Sequence, residues 1–298
     1  MTVSIVEVSP RDGLQNESAI VSTADKLALI DTLVASGVRR IEAVSFAHPK
    51  RVPQMADAEA VAAGLPRGAV SWIGLVLNEK GLDRAIAAGL DEVNVVVVAT
   101  DTFSKRNQGV PTAEAAAAWS RIAARAREAG LRTTVTVAAA FGCPFEGEVP
   151  VSRVRSVIEA CAAARPDELA LADTIGVGVP VQVRALHKAA AEAAPGVPLR
   201  WHFHNTRNTG YANALAAAEL AGSDPVALDS SAGGIGGCPF APNATGNIAT
   251  EDLLYLLHRN GFDTGVAVDP LLPLGERLGE LLGHQVPGQL ARAGLFPS

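Results

Sequence analysis

The stretch EVNVVVVATDTFSKRNQGVPTAEAAAAWSRIAARAREAGLRTTVTVAAA, residues 92–140, decides the fold. Residues 92–99 and 131–140 are short runs rich in Val, while 112–130 is Ala-rich, repeats apolar residues three or four apart and closes on Gly130, a residue helices favour just past their last turn. Strand, helix, strand in that order is the unit that feeds a parallel sheet. Outward from this stretch the same alternation recurs. The other strand-like runs are VSIVEV from 3, RRIEAVSF from 39, AVSWIGLVL from 69, ELALAD from 168, PLRWHFH from 198 and PVALDSS from 225. STADKLALIDTLVASG and SRVRSVIEACAAA between them have helical period. Eight strands, each followed by a helix, close naturally into a (β/α)8 TIM barrel. A doubly wound dinucleotide sheet is the main competitor, but no GxGxxG follows the first strand. The expectation is one α/β barrel domain over residues 1–298, with those after about 260 as a short helical extension.

The 298 residues are 48% hydrophobic and 19% charged, the composition of an ordinary globular chain. A formal net charge of −6 argues against a general nucleic-acid or anionic-membrane surface, and leaves room for a local basic cluster that binds an acidic ligand. Cys143, Cys161 and Cys238 are too few and too scattered for a disulfide framework. A strand-like run begins almost at Met1, and no apolar run reaches the roughly 18 to 20 residues of a membrane helix. The expected location is the cytoplasm.

The C-terminal ends of barrel strands form the face that carries active sites. In HFHNTRNTG, residues 202–210, the spacing of His202 and His204 points both imidazoles to one side of a strand. Asp12, at the end of the adjoining first strand, would add an oxygen, and the amide of Asn247 another. A mixed N/O set without thiolate fits Mg²⁺ or Mn²⁺, with Zn²⁺ or Co²⁺ as alternatives. Arg11 would set a permanent cation beside the site, suited to polarising a carbonyl; the plainer reading is a salt bridge to Asp12 or Glu42. Glu42, Asp173 and Glu251 suit partners that orient ligands or Arg11. Cys238 lies in the Gly-rich loop GGIGGCPFAP, where a thiol beside a cation can trade protons near neutral pH. Cys143 is a lesser candidate, Cys161 a packing residue. Lys50, Lys105 and Arg106 are placed to meet phosphates or to be solvated surface.

VSPRDGLQNE, IEAVSF, GCPFEGE, DTIGVGVP, HFHN and GGIGGCPFAPNATGNIATEDLLYLL together resemble hydroxymethylglutaryl-CoA lyase, within the wider group of metal-dependent lyases and Claisen-type synthases on this barrel. The resemblance spans the chain, and its most specific part is the cysteine loop. It implies Asp12, His202, His204 and Asn247 as metal ligands, Arg11 as the substrate-carbonyl arginine and Cys238 as the catalytic cysteine. Glu42 joins them in the catalytic set, and Lys50, Lys105 and Arg106 become candidates for the CoA phosphates. The implied reaction is a retro-Claisen cleavage of hydroxymethylglutaryl-CoA, or a related 3-hydroxy-3-substituted acyl-CoA, to acetyl-CoA and a 3-oxo acid. Acetyl-CoA would leave as an enolate, stabilised by Arg11 and the cation and quenched by Cys238. A homodimer is implied as well. The chain departs from the pattern at Asn205, where an aspartate is usual, and at His48 and Arg51, changes expected around the acyl end of the site. The alternatives are a condensing acyltransferase of the isopropylmalate or homocitrate synthase kind, or a silent CoA- or metal-binding barrel.

Overall fold

The computed structural model describes residues 1–221, 226–237 and 246–297. The eight strands are β1 (Val3–Glu7), β2 (Arg40–Ser45), β3 (Ser71–Val76), β4 (Glu92–Val98), β5 (Arg132–Ala138), β6 (Glu168–Asp173), β7 (Leu199–Phe203) and β8 (Val226–Ser230). They pair in chain order, all parallel, and β8 returns to β1 through the register Val3↔Val226 to Glu7↔Ser230. The sheet is a closed barrel, the expected (β/α)8 architecture.

Around it run α1 (Thr23–Ala35), α2 (Ala58–Gly64), α3 (Glu79–Ala87), α4 (Asp101–Gln108), α5 (Thr112–Glu128), α6 (Val151–Ala162), α7 (Pro180–Ala193), α8 (Gly210–Glu219) and α9 (Thr250–Arg259). Helices α10 (Leu272–Leu282) and α11 (Leu290–Ala293) follow, so the tail is helical as expected. TDTFSKRNQG, between β4 and α5, holds the extra helix α4. Its Phe103 and Ser104 are buried, enough to seat one short turn-rich segment, and Pro111 then caps a fresh start for α5. Among the described residues no helix is long and apolar enough to cross a membrane.

The main core lies between sheet and helices. Leu29, Ile30 and Leu33 of α1, Trp119 and Ile122 of α5 and Val154 and Ile158 of α6 are all buried there. Side chains three or four apart on a helix share a face, which is why these residues meet the strands together. Trp119 Nε1 donates to the Cys161 carbonyl at 2.9 Å, tying α5 to α6. Burial pushes the Cys161 thiol up to about 12, which keeps it an inert packing group.

The inside of the barrel is filled differently. Arg40 donates two 2.8 Å hydrogen bonds to Glu168 and one of 2.7 Å to Glu92. β2 and β6 are not neighbours in the sheet, so this contact crosses the lumen. Arg132 and Thr134 of β5 join the same two carboxylates at 3.2 and 2.7 Å. Arg40, Glu92, Arg132 and Glu168 each open their strand, so the ions close the N-terminal mouth. Only Val6, Val8, Ile73 and Ala227 form a separate small apolar cluster.

Candidate active site

At the opposite, C-terminal face a cavity of about 570 Å³ opens, with Arg11, Asp12, His202, His204 and Asp229 in its wall. Residues 200 and 202 of β7, and His204 just past it, point inward, whereas Trp201 and Phe203 point outward, where their rings stack on each other at 5.9 Å and Phe141 packs at 6.4 and 5.8 Å from them. Asp12 belongs to a tight turn, Ser9–Gly13, that ends β1 and folds its carboxylate back over the strand ends.

Asp12, His202 and His204 offer one ligand atom each, all within 4.8 Å of one another. His202 Nδ1 lies 3.0 Å from Asp229 Oδ2; with the proton on Nδ1, the ring donates there and turns its Nε2 lone pair to the site. His204 Nε2 stands 3.1 Å from that nitrogen, and Asp12 Oδ2 is 3.9 Å from it. Burial and the neighbouring His202 pull the His204 pKa down to about 3, so this ring is neutral at physiological pH. For His202 burial alone would do the same, but the hydrogen bond and charge of Asp229, with Asp12, outweigh it and raise the pKa. Asp12 resists its burial through the Arg11 charge, helped by the histidines and Asn247, and ionises at about 2. Two imidazole nitrogens and a carboxylate held ionised, crowded into one small volume, are a donor set that fits a divalent cation.

The predicted residues fall into three groups. Asn247 is at the site: its backbone bridges to His204, and its Nδ2 donates to Asp12 Oδ2 at 2.9 Å and to the Ile235 carbonyl at 3.1 Å. Its amide nitrogen, not its oxygen, faces the carboxylate. Arg11 realises both of its readings at once: it lines the cavity, and it pairs with Asp12 at 2.7 Å and Glu42 at 2.8 Å. Glu42 lies behind Arg11, where Asn94 Nδ2 also donates to it at 3.2 Å, and not on the cavity wall. Gly237 is on the wall, its carbonyl accepting from Asn16 Nδ2 at 2.8 Å. The next residue, Cys238, lies outside the described residues.

A second group supports the loops. Asp173 accepts from the amides of Val177 at 3.0 Å and Gly178 at 2.8 Å, shaping the turn after β6. Glu251 accepts from Gly233 N at 3.1 Å, its other oxygen is buried without a partner among the described residues, and burial pushes its pKa up to about 7. Gly236, at φ +102°, lets the cysteine loop leave the site: a Cβ there would stand 2.7 Å from Asn247 Nδ2 and 2.8 Å from the Gly13 Cα.

The third group lies elsewhere. Lys50, Lys105 and Arg106 are exposed and are not part of the cavity wall, and the Arg106 guanidinium sits 4.2 Å over the Phe145 ring. Cys143 is buried, accepting from Thr100 at 3.1 Å. Of the three departures, His48 and Arg51 do line the cavity, but Asn205 does not. Its Oδ1 accepts from Gly210 N at 3.2 Å at the start of α8, while Arg207 donates to the carbonyls of Ile175 and Gly176. The change of sequence there is a change in how two loops are tied. Sequence reasoning missed Asp229 and the Arg200 that holds it, although Arg200 shares the parity of His202 and His204.

Residues 2–277 match the HMGL-like family. The chain is 43% identical to (R)-citramalyl-CoA lyase of Chloroflexus aurantiacus, over 98% of this chain and 95% of that one. It is 38% identical to hydroxymethylglutaryl-CoA lyase of Bacillus subtilis, over 96% and 95%. The solved HMG-CoA lyase of Acinetobacter baumannii, in complex with coenzyme A and 3-methylmalate, superposes with a TM-score of 0.93 at 39% identity, over 100% of this chain and 98% of that one. A family match over residues 2–277, together with citramalyl-CoA and hydroxymethylglutaryl-CoA lyases among the relatives at 38–43% identity, places the chain in the HMGL-like family and makes it a carbon–carbon lyase.

Proposed function

We propose that this chain is a divalent-metal-dependent retro-Claisen lyase acting on a 3-hydroxy-3-methyl acyl-CoA with a distal carboxylate, hydroxymethylglutaryl-CoA or citramalyl-CoA. The observation that carries the reading is the meeting of Asp12, His202, His204 and Arg11 in one cavity wall. The names of the relatives supply the substrate class, and a coenzyme A complex of one neighbour supports a CoA ester.

Asp12, His202 and His204 would hold the cation, Mg²⁺ or Mn²⁺ by the hardness of the set, with Asn247 beside them. When bound, it supplies Lewis-acid polarisation of the substrate's hydroxyl and neutralises developing charge. Arg11 already uses Nη1 and Nη2 on Asp12 and Glu42, while its Nε is buried without a partner among the described residues. Its guanidinium, on the cavity wall, would set a positive charge beside the thioester oxygen. As the 3-hydroxyl proton passes to solvent in the cavity, the C2–C3 bond breaks and C3 becomes the carbonyl of the oxo acid. Its electron pair moves into the acetyl-CoA enolate, whose oxygen Arg11 stabilises. Cys238 follows Gly237 on the cavity wall and would deliver its thiol proton to C2. His48 and Arg51 at the mouth are better placed than Lys50, Lys105 or Arg106 to meet the acidic ends of the substrate.

The test is product analysis. Chelator-stripped protein is given each CoA ester with and without Mg²⁺ or Mn²⁺, and acetoacetate and pyruvate are assayed separately. Metal-dependent acetoacetate marks hydroxymethylglutaryl-CoA as substrate, and pyruvate marks citramalyl-CoA. Neither product from folded protein overturns the reading.

A further inference from the structure

Beneath the site lies a cation that none of the chemistry above uses. Arg200, on β7, is fully buried in the lumen. Its Nε donates to Asp229 Oδ1, and the other oxygen of Asp229 is the one 3.0 Å from His202 Nδ1. Its Nη2 lies 3.8 Å from Glu42 Oε2, the same atom that holds Arg11 Nη2 at 2.8 Å. Its Nη1 lies 3.9 Å from Glu168 Oε2, in the ionic floor below. One guanidinium is therefore joined to His202 through a hydrogen-bonded carboxylate and, by charge alone, to Arg11 through another.

We propose that Arg200 is a positioning residue that keeps His202 and Arg11 in mutual register. Its Nε hydrogen bond holds Asp229, which fixes the direction and tautomer of the His202 ring, and its charge, 3.8 Å away, attracts Glu42, which fixes the Arg11 fork. The inference rests on the reading that Asp12, His202 and His204 bind a cation and that Arg11 faces the reacting carbonyl. Its physical basis is directional. Buried carboxylates keep their places only when their charge is paired, and without Arg200 the acids Asp229, Glu42 and Glu168 lose the cation they share. The Nε–H of the rigid guanidinium is aimed at Asp229, while Nη1 and Nη2 make no hydrogen bond among the described residues and act on Glu168 and Glu42 by charge alone; a lysine ammonium, a point charge on a flexible stem, loses the aimed Nε–H. Arg200→Lys thus keeps the charge and removes the geometry.

The experiment titrates Mn²⁺ into metal-free wild type, Asp229→Asn, Glu42→Gln and Arg200→Lys, reading free Mn²⁺ by electron paramagnetic resonance. Turnover at saturating Mn²⁺ and Tm are measured on the same samples. Asp229→Asn weakens Mn²⁺ about ten- to a hundred-fold, the usual effect of losing the partner of a ligating histidine, and saturating metal restores most of kcat. Glu42→Gln weakens Mn²⁺ less than Asp229→Asn does, by no more than about three-fold, because it reaches the ligand Asp12 only through Arg11, and it lowers kcat. Arg200→Lys does both, and the double variant Arg200→Lys/Asp229→Asn binds Mn²⁺ no more weakly than Asp229→Asn, because both changes act through one arm. Should Arg200→Lys not fold, the contrast between Asp229→Asn and Glu42→Gln decides alone. If the variants lose Tm while Mn²⁺ affinity and kcat stay at wild-type values, Arg200 is packing only and the inference is overturned. Wild type that binds no Mn²⁺ overturns the functional reading, and this inference with it.

Discussion

Outside the strands, Trp119, Ile122 and Ile158 meet the sheet through apolar surface, whereas inside it Arg40 meets Glu92 and Glu168, and Arg200 meets Glu42 and Asp229, through charge. Apolar contact is non-directional and roughly proportional to area, so many packings of similar volume serve. Hydrogen-bonded ions hold their partners at fixed angles, and losing one strands the rest. The outer wall gives the barrel its stability, then, and the lumen gives the site its aim. In an ordinary barrel the interior is layered with branched apolar residues, and here charged side chains share it with a small apolar cluster at Val6, Val8, Ile73 and Ala227 and with Leu75 and Val96 nearer the cavity.

That contrast breaks most visibly at the top of the lumen. Asp12→Ala is expected to abolish cation binding and to lower kcat/KM by roughly 10⁴-fold, about 5.5 kcal/mol of transition-state stabilisation, with little change in the Tm of metal-free protein. Calorimetric metal titration beside initial rates checks it, and retained metal binding would sink the ligand assignment. In the wall the effect falls on stability instead. Trp119→Ala is expected to cost about 3–5 kcal/mol of unfolding free energy while kcat per folded molecule is unchanged. Denaturant midpoints read against active-site titration decide, and a comparable drop in kcat would show that wall and site are coupled.

Glu251 belongs to neither region, being a buried carboxyl with one oxygen unpaired among the described residues. Its pKa is raised to about 7 from an ordinary 4.5, so the folded state favours the protonated form. The associated stability is present below pH 4.5 and is lost as pH rises through 7. Glu251→Gln should therefore gain on wild type with rising pH, by at most about 3 kcal/mol above pH 7. Chemical denaturation at pH 5 and pH 8 measures the gap, and a gap that does not widen refutes the assignment. The smallest effect is expected at the rim. Arg51→Ala should raise KM for the CoA ester roughly two- to five-fold at low salt and less at high salt, leaving kcat alone, because exposed ion pairs are weak and screened. A salt-independent KM change would mean that Arg51 acts by shape.

The barrel was legible because each buried strand needs a β-branched run and each helix an apolar stripe, and both leave period and length in the sequence. ELALAD is a strand over its whole length, and PLRWHFH differs from β7 by one residue at each end. His202, His204 and Asp12 were legible for the same reason, since strand parity fixes which side chains share a face. Arg200 obeys that parity too, and a charge inside a strand covered on both sides was signal enough to ask for its partner. Asp229 in PVALDSS is that partner, but nothing in either segment names the other strand. Loops hide more. Asn205 and Arg207 follow the histidines directly, yet the chain turns at once into α8, and their side chains tie backbone instead of entering the cavity. Lys50 and Lys105 carried the right charge for phosphates, and sequence holds no measure of which way a rim residue faces.

Unfolding this barrel wets two kinds of surface. The wall exposes hydrocarbon, whose hydration raises the heat capacity, while the lumen exposes guanidinium and carboxylate groups, whose hydration lowers it. A barrel floored by Arg40, Glu92, Arg132 and Glu168 thus unfolds with a smaller heat-capacity increment than one of equal size filled with valine and leucine. Its stability curve is the flatter for it, and its ion pairs grow cheaper to keep dry as the temperature rises. The arrangement that aims the site also makes the fold less sensitive to warming and cooling alike.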